Sequence, residues 1–107
     1  MNCVYSPLAL ADLEHIQDDV WEVSRDIDTT DRYMNALMDR VEAKAEWPRS
    51  GAPLHHLDNT FTGYYFVPYK AYIAFYHPVD DGIYVDRILP ARCDYMDILI
   101  KTGSLPS

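Results

Sequence analysis

Apolar residues recur at helical spacing along the first half of the chain. Leu13, Ile16, Val20, Val23 and Ile27 follow at alternating intervals of three and four. That is one stripe of an amphipathic helix. Ser6-Pro7 stands before it. A serine hydroxyl accepts from an orphan N–H, and proline suits the first helical position. Asp12, Asp18, Asp19 and Glu22 fall mostly off the stripe and read as a solvated face. Asp28-Thr29-Thr30-Asp31 interrupts the pattern and supplies caps for a second helix. Met34, Leu37, Val41 and Ala45 then repeat the spacing, and the helix must stop before Pro48. So short a connection predicts an antiparallel hairpin, whose stripes need a further surface to pack on. Trp21, Met34 and Met38 flank the stripes and are the apolar residues expected to stay exposed for a partner.

The pattern then changes. Residues 48–61, with Pro48, Gly51, Pro53 and Asn59, read as loop. Tyr64-Tyr65-Phe66-Val67 is aromatic and favours a strand. Pro68-Tyr69-Lys70 turns the chain. Residues 71–76 are apolar on both parities, which predicts a central strand covered on both faces. Asp81-Gly82 is a hairpin signal. Ile83 to Leu89 forms the next strand, and Pro90 ends it. Asp94 to Ile100 predicts a final helical turn or two, and 102–107 a frayed tail. Asn2 to Tyr5 reads as an edge strand. The expected fold is α+β and one domain over residues 1–107. Its order is an N-terminal strand, an antiparallel helical hairpin, a three-stranded antiparallel meander and a short C-terminal helix.

Composition limits the function classes. No apolar run is long enough for a membrane helix, and the N-terminus lacks the basic and apolar regions of a signal peptide. The expected location is therefore cytoplasmic, with Cys3 and Cys93 as free buried thiols. The net charge of −8 argues against non-specific nucleic-acid binding, which depends on phosphate neutralisation. The charge is uneven. Residues 1–47 hold 11 acids against 4 bases, whereas residues 48–107 hold 6 against 5.

Standard catalytic motifs are absent: there is no phosphate loop, no His-Glu-x-x-His and no Cys-x-x-Cys. His55, His56 and Asp58 set no ligand spacing and read as a polar loop, so no metal and no cofactor is expected. Arg87 is more informative. Strand parity groups it with Ile83, Val85 and Leu89. A guanidinium among apolar neighbours needs a partner or a functional anion, and Asp94 is the candidate partner. Arg87, Arg92 and Tyr95 would converge where the last strand ends, a grouping suited to a phosphate or a carboxylate.

Three stretches resemble RelE/ParE toxins, the plasmid-stabilisation family. Residues 5–13 (Tyr5-Ser6-Pro7-Leu8-Ala9-Leu10-Ala11-Asp12-Leu13) are similar to that family's first strand and helix start. Tyr72-Ile73-Ala74-Phe75-Tyr76 resembles its central strand, and residues 85–95 resemble its last strand and following turn. The resemblance implies the toxin of a type II toxin–antitoxin module, with a cognate antitoxin as partner. It implies one of two targets: DNA gyrase, bound as by ParE-like members, or the ribosome, on which RelE-like members cut messenger RNA. RelE-like members place Lys and Arg on the middle strands, where Tyr64, Phe66 and Ile73 stand here. Only Arg92 matches an Arg kept after the last strand. The expectation is therefore growth inhibition by binding a protein such as gyrase, leaning away from an enzyme. The alternatives are a RelE-like endoribonuclease and a repurposed binding module on the toxin fold. Arg87, Arg92 and Tyr95 are the candidates for catalysis, should there be any. Together with Lys70 and His77 they are the candidates for target or antitoxin binding.

Overall fold

The computed structural model describes residues 2–103 and 105. Strand β1 (Asn2–Tyr5) leads into helix α1 (Pro7–Ser24) and helix α2 (Ile27–Glu42), followed by two single 3-10 turns. Strands β2 (Ala52–His55), β3 (Phe61–Tyr69), β4 (Tyr72–Val79) and β5 (Gly82–Pro90) come next, and helix α3 (Tyr95–Lys101) closes the order. The strands form one sheet in the order β1-β5-β4-β3-β2. β1 runs parallel to β5, and the other neighbours are antiparallel. The α+β fold read from the sequence is the fold observed.

Ser6 starts α1 as expected: its hydroxyl accepts from the Ala9 N–H at 2.9 Å and donates to the Asp86 carbonyl at 2.7 Å. One side chain thus caps the helix and fastens it to β5. The break between the helices comes earlier than the Asp28–Asp31 run suggests. Arg25 adopts a left-handed conformation, φ 53°, and its N–H bonds the Trp21 carbonyl. Asp26, rather than a later residue, caps α2, accepting from the Asp28 N–H and the Thr29 hydroxyl. The stripe therefore ends early: Val23, in the last turn of α1, and Ile27, the first residue of α2, stand 89% and 66% exposed. The second stripe holds throughout: Met34, Leu37, Val41 and Ala45 are all buried. Met34 is therefore core, whereas Trp21 remains on the surface.

The sheet is covered on both faces. Leu13, Ile16, Met34, Leu37 and Val41 of the hairpin pack against Val67, Ala74, Tyr76, Ile83, Val85 and Ile88. On the opposite face Leu54, Phe75 and Leu89 pack with Leu99 of α3 and with Leu105. Ala74, Phe75 and Tyr76 are each essentially inaccessible, as a strand apolar on both parities requires.

Three segments depart from the sequence reading. β2 lies in the stretch read as loop; it is a four-residue strand at the edge of the sheet, the position in which a proline such as Pro53 is tolerated. Leu105 is buried and its N–H bonds the Leu99 carbonyl, so the tail folds back at least this far. Thr102 and Gly103 also bond back to α3, through the Ile98 and Ile100 carbonyls, and Ser104, Pro106 and Ser107, the remainder of the stretch expected to fray, lie outside the described residues. Cys3 and Cys93 are free thiols but only half-buried.

Candidate functional site

A β-bulge organises the site. β4 pairs Tyr76 with Val85 and Phe75 with Arg87, so Asp86 is an extra residue in β5. Simple alternation fails at that point. Ile83, Val85 and Ile88 join the core under the hairpin, while Leu89 joins the cluster under α3. Asp86 and Arg87 are both freed from the regular pattern, as bulges commonly re-aim side chains.

Arg87 finds its partner on α1 and not at Asp94. Its Nε donates to Asp12 at 2.7 Å and its Nη2 at 3.0 Å, and each side chain is 12% exposed. Hydrogen bonding to Asp12 pushes the Arg87 guanidinium's affinity for the proton above its usual range, against the cost of burial. Nη1 also reaches the Thr102 hydroxyl at 3.3 Å. Arg87 is paired and largely buried, as its setting demanded, and it links α1, β5 and the end of α3.

The other candidate cations gather at one end of the sheet. Lys70 occupies the β3–β4 turn with φ 51°, its ammonium 5.7 Å from the ring centres of both Tyr33 and Tyr69. Arg92 follows β5, and the preceding Ala91 N–H bonds the Ala71 carbonyl at 2.8 Å. The two turns are thus stitched together, with Lys70 and Arg92 both exposed. Among the described residues neither enters an ion pair. Tyr95 begins α3 and lays its ring 5.1 Å from Phe75, so it is partly structural.

His77 is separate. It pairs with Tyr84 at the opposite end of β4, and its Nδ1 lies 2.8 Å from Asp86 Oδ2. Tyr64 and Tyr84 flank the ring at 5.1 and 5.4 Å. Burial pushes the Asp86 carboxyl up from its usual value, and the His77 hydrogen bond opposes this. Asp86 was missed in the sequence. The one available signal was two adjacent charges, Asp86-Arg87, inside an otherwise apolar strand.

The middle-strand positions carry no cation. Tyr64, Phe66 and Ile73 pack against the cluster of Leu54, Phe75 and Leu99 beneath α3. No group of three potential metal ligands occurs among the described residues.

The sequence matches the family described as "ParE toxin of type II toxin-antitoxin system, parDE" over residues 3–95. The chain belongs to this ParE toxin family. As such it is a type II toxin by kind, with an antitoxin as its counterpart. A solved structure described as "Chromosomal ParDE TA system from P. aeruginosa" has the same fold, with a TM-score of 0.66 at 17% identity. The match covers 84% of this chain and 95% of that one. No curated protein is significantly similar in sequence. No helix among the described residues is long and apolar enough to cross a membrane.

Proposed function

We propose that this ParE-family protein arrests growth by binding a protein target, DNA gyrase being the first to test, and that it does so without cleaving RNA. The observation that carries this reading is the face under α3. Strand-cleaving catalysis needs proton transfer and cationic stabilisation of a phosphorane. Tyr64, Phe66 and Ile73 offer aromatic and aliphatic packing there instead. The target-facing residues are Arg92 and Lys70, with Tyr95 beside them. Arg87 acts mainly by holding β5 to α1, through Asp12. His77 contributes an aromatic, polar patch at the far end of the sheet. The cytoplasm is the compartment where such a target is met.

The test is a supercoiling assay with purified gyrase and relaxed plasmid. Inhibition that weakens in Arg92→Ala supports the proposal. Primer extension on translated message is the counter-test. Specific cuts that disappear in Arg92→Ala would replace the binding reading with RelE-like cleavage. Inactivity in both assays, and no effect on growth, would favour a repurposed binding module.

A further inference from the structure

Three tyrosines gather beside the two stitched turns. Tyr69 and Tyr72 face each other across the β3–β4 turn, and Tyr33 of α2 meets Tyr69 edge to face at 5.3 Å. All three are partly exposed. Lys70 stands in the turn in a left-handed conformation, uncommon for a residue other than glycine. Its ammonium lies 5.7 Å from two of the rings, within the range of cation–π attraction. Backbone and side chain are thus both held in place. Arg92 follows Ala91 in the adjoining turn, and the hydrogen bond from Ala91 to Ala71 fixes the turns to each other. Burial pushes the phenols of Tyr33 and Tyr72 up from their usual value. Both therefore stay protonated and able to donate. Tyr72 gives its hydrogen to Asp19 at 3.4 Å, a long bond that a closer acceptor would replace.

These groups define the chemistry of what fits. A tyrosine ring offers a large apolar face at little entropic cost, with a hydroxyl at its tip. Lys70 and Arg92 stand outside any ion pair among the described residues, in a chain of net charge −8. They favour an anion. A nucleic acid fits poorly, because a pair of cations neutralises too few phosphates and the acidic remainder of the chain repels a polyanion. A short acidic stretch with apolar neighbours meets cations and rings at once. We propose that this end of the sheet takes an acidic, partly apolar segment of the target protein, its carboxylates on Lys70 and Arg92 and its apolar side chains on Tyr33, Tyr69 and Tyr72. This rests on the reading of Lys70 and Arg92 as target-facing and adds the chemistry of what they meet. Because the turns and the ammonium are already held, little order is lost when the segment docks.

The probes are two synthetic peptides of about 12 residues, long enough at about 3.3 Å per residue to cross both turns. One carries Glu beside Leu and Phe; the other has Gln in place of every Glu. Binding is followed by amide NMR of the whole protein. The Glu peptide should bind about tenfold or more tighter, with the advantage shrinking as salt rises. It should shift the amides of Lys70, Ala71, Ala91 and Arg92, and its Phe and Leu protons should show nuclear Overhauser contacts to the tyrosine rings. The double variant Lys70→Gln, Arg92→Gln should lose the preference; both sites are exposed, and circular dichroism checks the fold. Equal binding of the two peptides would overturn the proposal, as would shifts confined to another surface or no contacts to the rings. So would no binding of either peptide by about 1 mM, a free energy near 4 kcal/mol, or tighter binding of a single-stranded DNA of the same length. Supercoiling inhibition without the preference for Glu would reject the acidic segment and leave the gyrase reading standing. The preference without inhibition would do the reverse.

Discussion

The Asp12 carboxylate accepts from Arg87 Nε at 2.7 Å, from Arg87 Nη2 at 3.0 Å and from the Ile88 backbone N–H at 3.0 Å. β1 pairs β5 only from Gly82 to Val85. Beyond that point the edge of β5 is open, and Asp12 takes the place of the missing strand at Ile88. A polar residue expected on the solvated face of α1 therefore closes the sheet edge and neutralises its only arginine.

Asp12→Asn should destabilise the fold by about 3 kcal/mol, the usual cost of leaving one member of a largely buried pair behind. The carboxamide turns donors toward the guanidinium. Urea unfolding of the two proteins measures the difference. A loss under about 1 kcal/mol would mean that water, and not Asp12, holds Arg87.

The same pair shows what a sequence can and cannot reveal. Helical spacing gave the stripe through Leu13, Ile16, Met34, Leu37 and Val41, because those residues contact the sheet at every turn. It carried the stripe too far, through Val23 at the exposed end of α1 and on to Ile27, because one left-handed residue, Arg25, ends the helix without any glycine to announce it. Parity gave Ile83 and Val85, then failed at the Asp86 bulge. That Arg87 needs a partner followed from its charge. That the partner is Asp12, 75 residues away, follows only from tertiary packing.

Gly82 serves a purpose beyond its place in the hairpin turn. It pairs with Asn2 in the parallel β1–β5 ladder, and a Cβ there would overlap the Asn2 backbone. Gly82→Ala should cost about 1–3 kcal/mol, in the range of forced overpacking. Amide exchange at Cys3 and Tyr5 should rise with it, since β1 must shift away. Unchanged exchange in β1 would show that the strand accommodates the methyl group.

The buried carboxyl of Asp86 predicts a pH signature. Its proton affinity is raised above the ordinary value, mainly by burial. Between the unfolded and folded values the native state binds more protons, so this group's contribution to stability falls as pH rises. At neutral pH the ionised Asp86 weakens the fold relative to its acid form. Asp86→Asn removes that titration. The stability of the variant relative to the parent should thus be greatest at neutral pH and decline as pH is lowered toward 4. Melting temperatures of both proteins across that range check it. A difference that is flat with pH, or that grows in acid, contradicts the raised affinity.

The stitched turns at Lys70 and Arg92 make a final prediction about activity. A partner approaching the hairpin meets mostly carboxylates, whereas the sheet end presents two cations outside any ion pair among the described residues. Exposed charges contribute little to folding, about 0–1 kcal/mol each. Arg92→Ala and Lys70→Ala should therefore melt like the parent. At an interface, truncating a desolvated cation can cost about 2–5 kcal/mol, which is enough to release growth inhibition. Arg25→Ala and Arg40→Ala should leave inhibition intact; Arg25 is already engaged with Glu22 at 2.8 Å. The assay compares the four variants with the parent on an inducible plasmid, with melting curves alongside. Full inhibition by the Arg92 and Lys70 variants, together with loss in the helix variants, would move the target-facing surface to the hairpin. Arg87→Ala belongs in the same series for a different reason. It should lose activity together with stability, because its guanidinium is committed to Asp12. A variant at Arg87 that kept the parental melting temperature yet failed to arrest growth would make that guanidinium a contact residue in its own right.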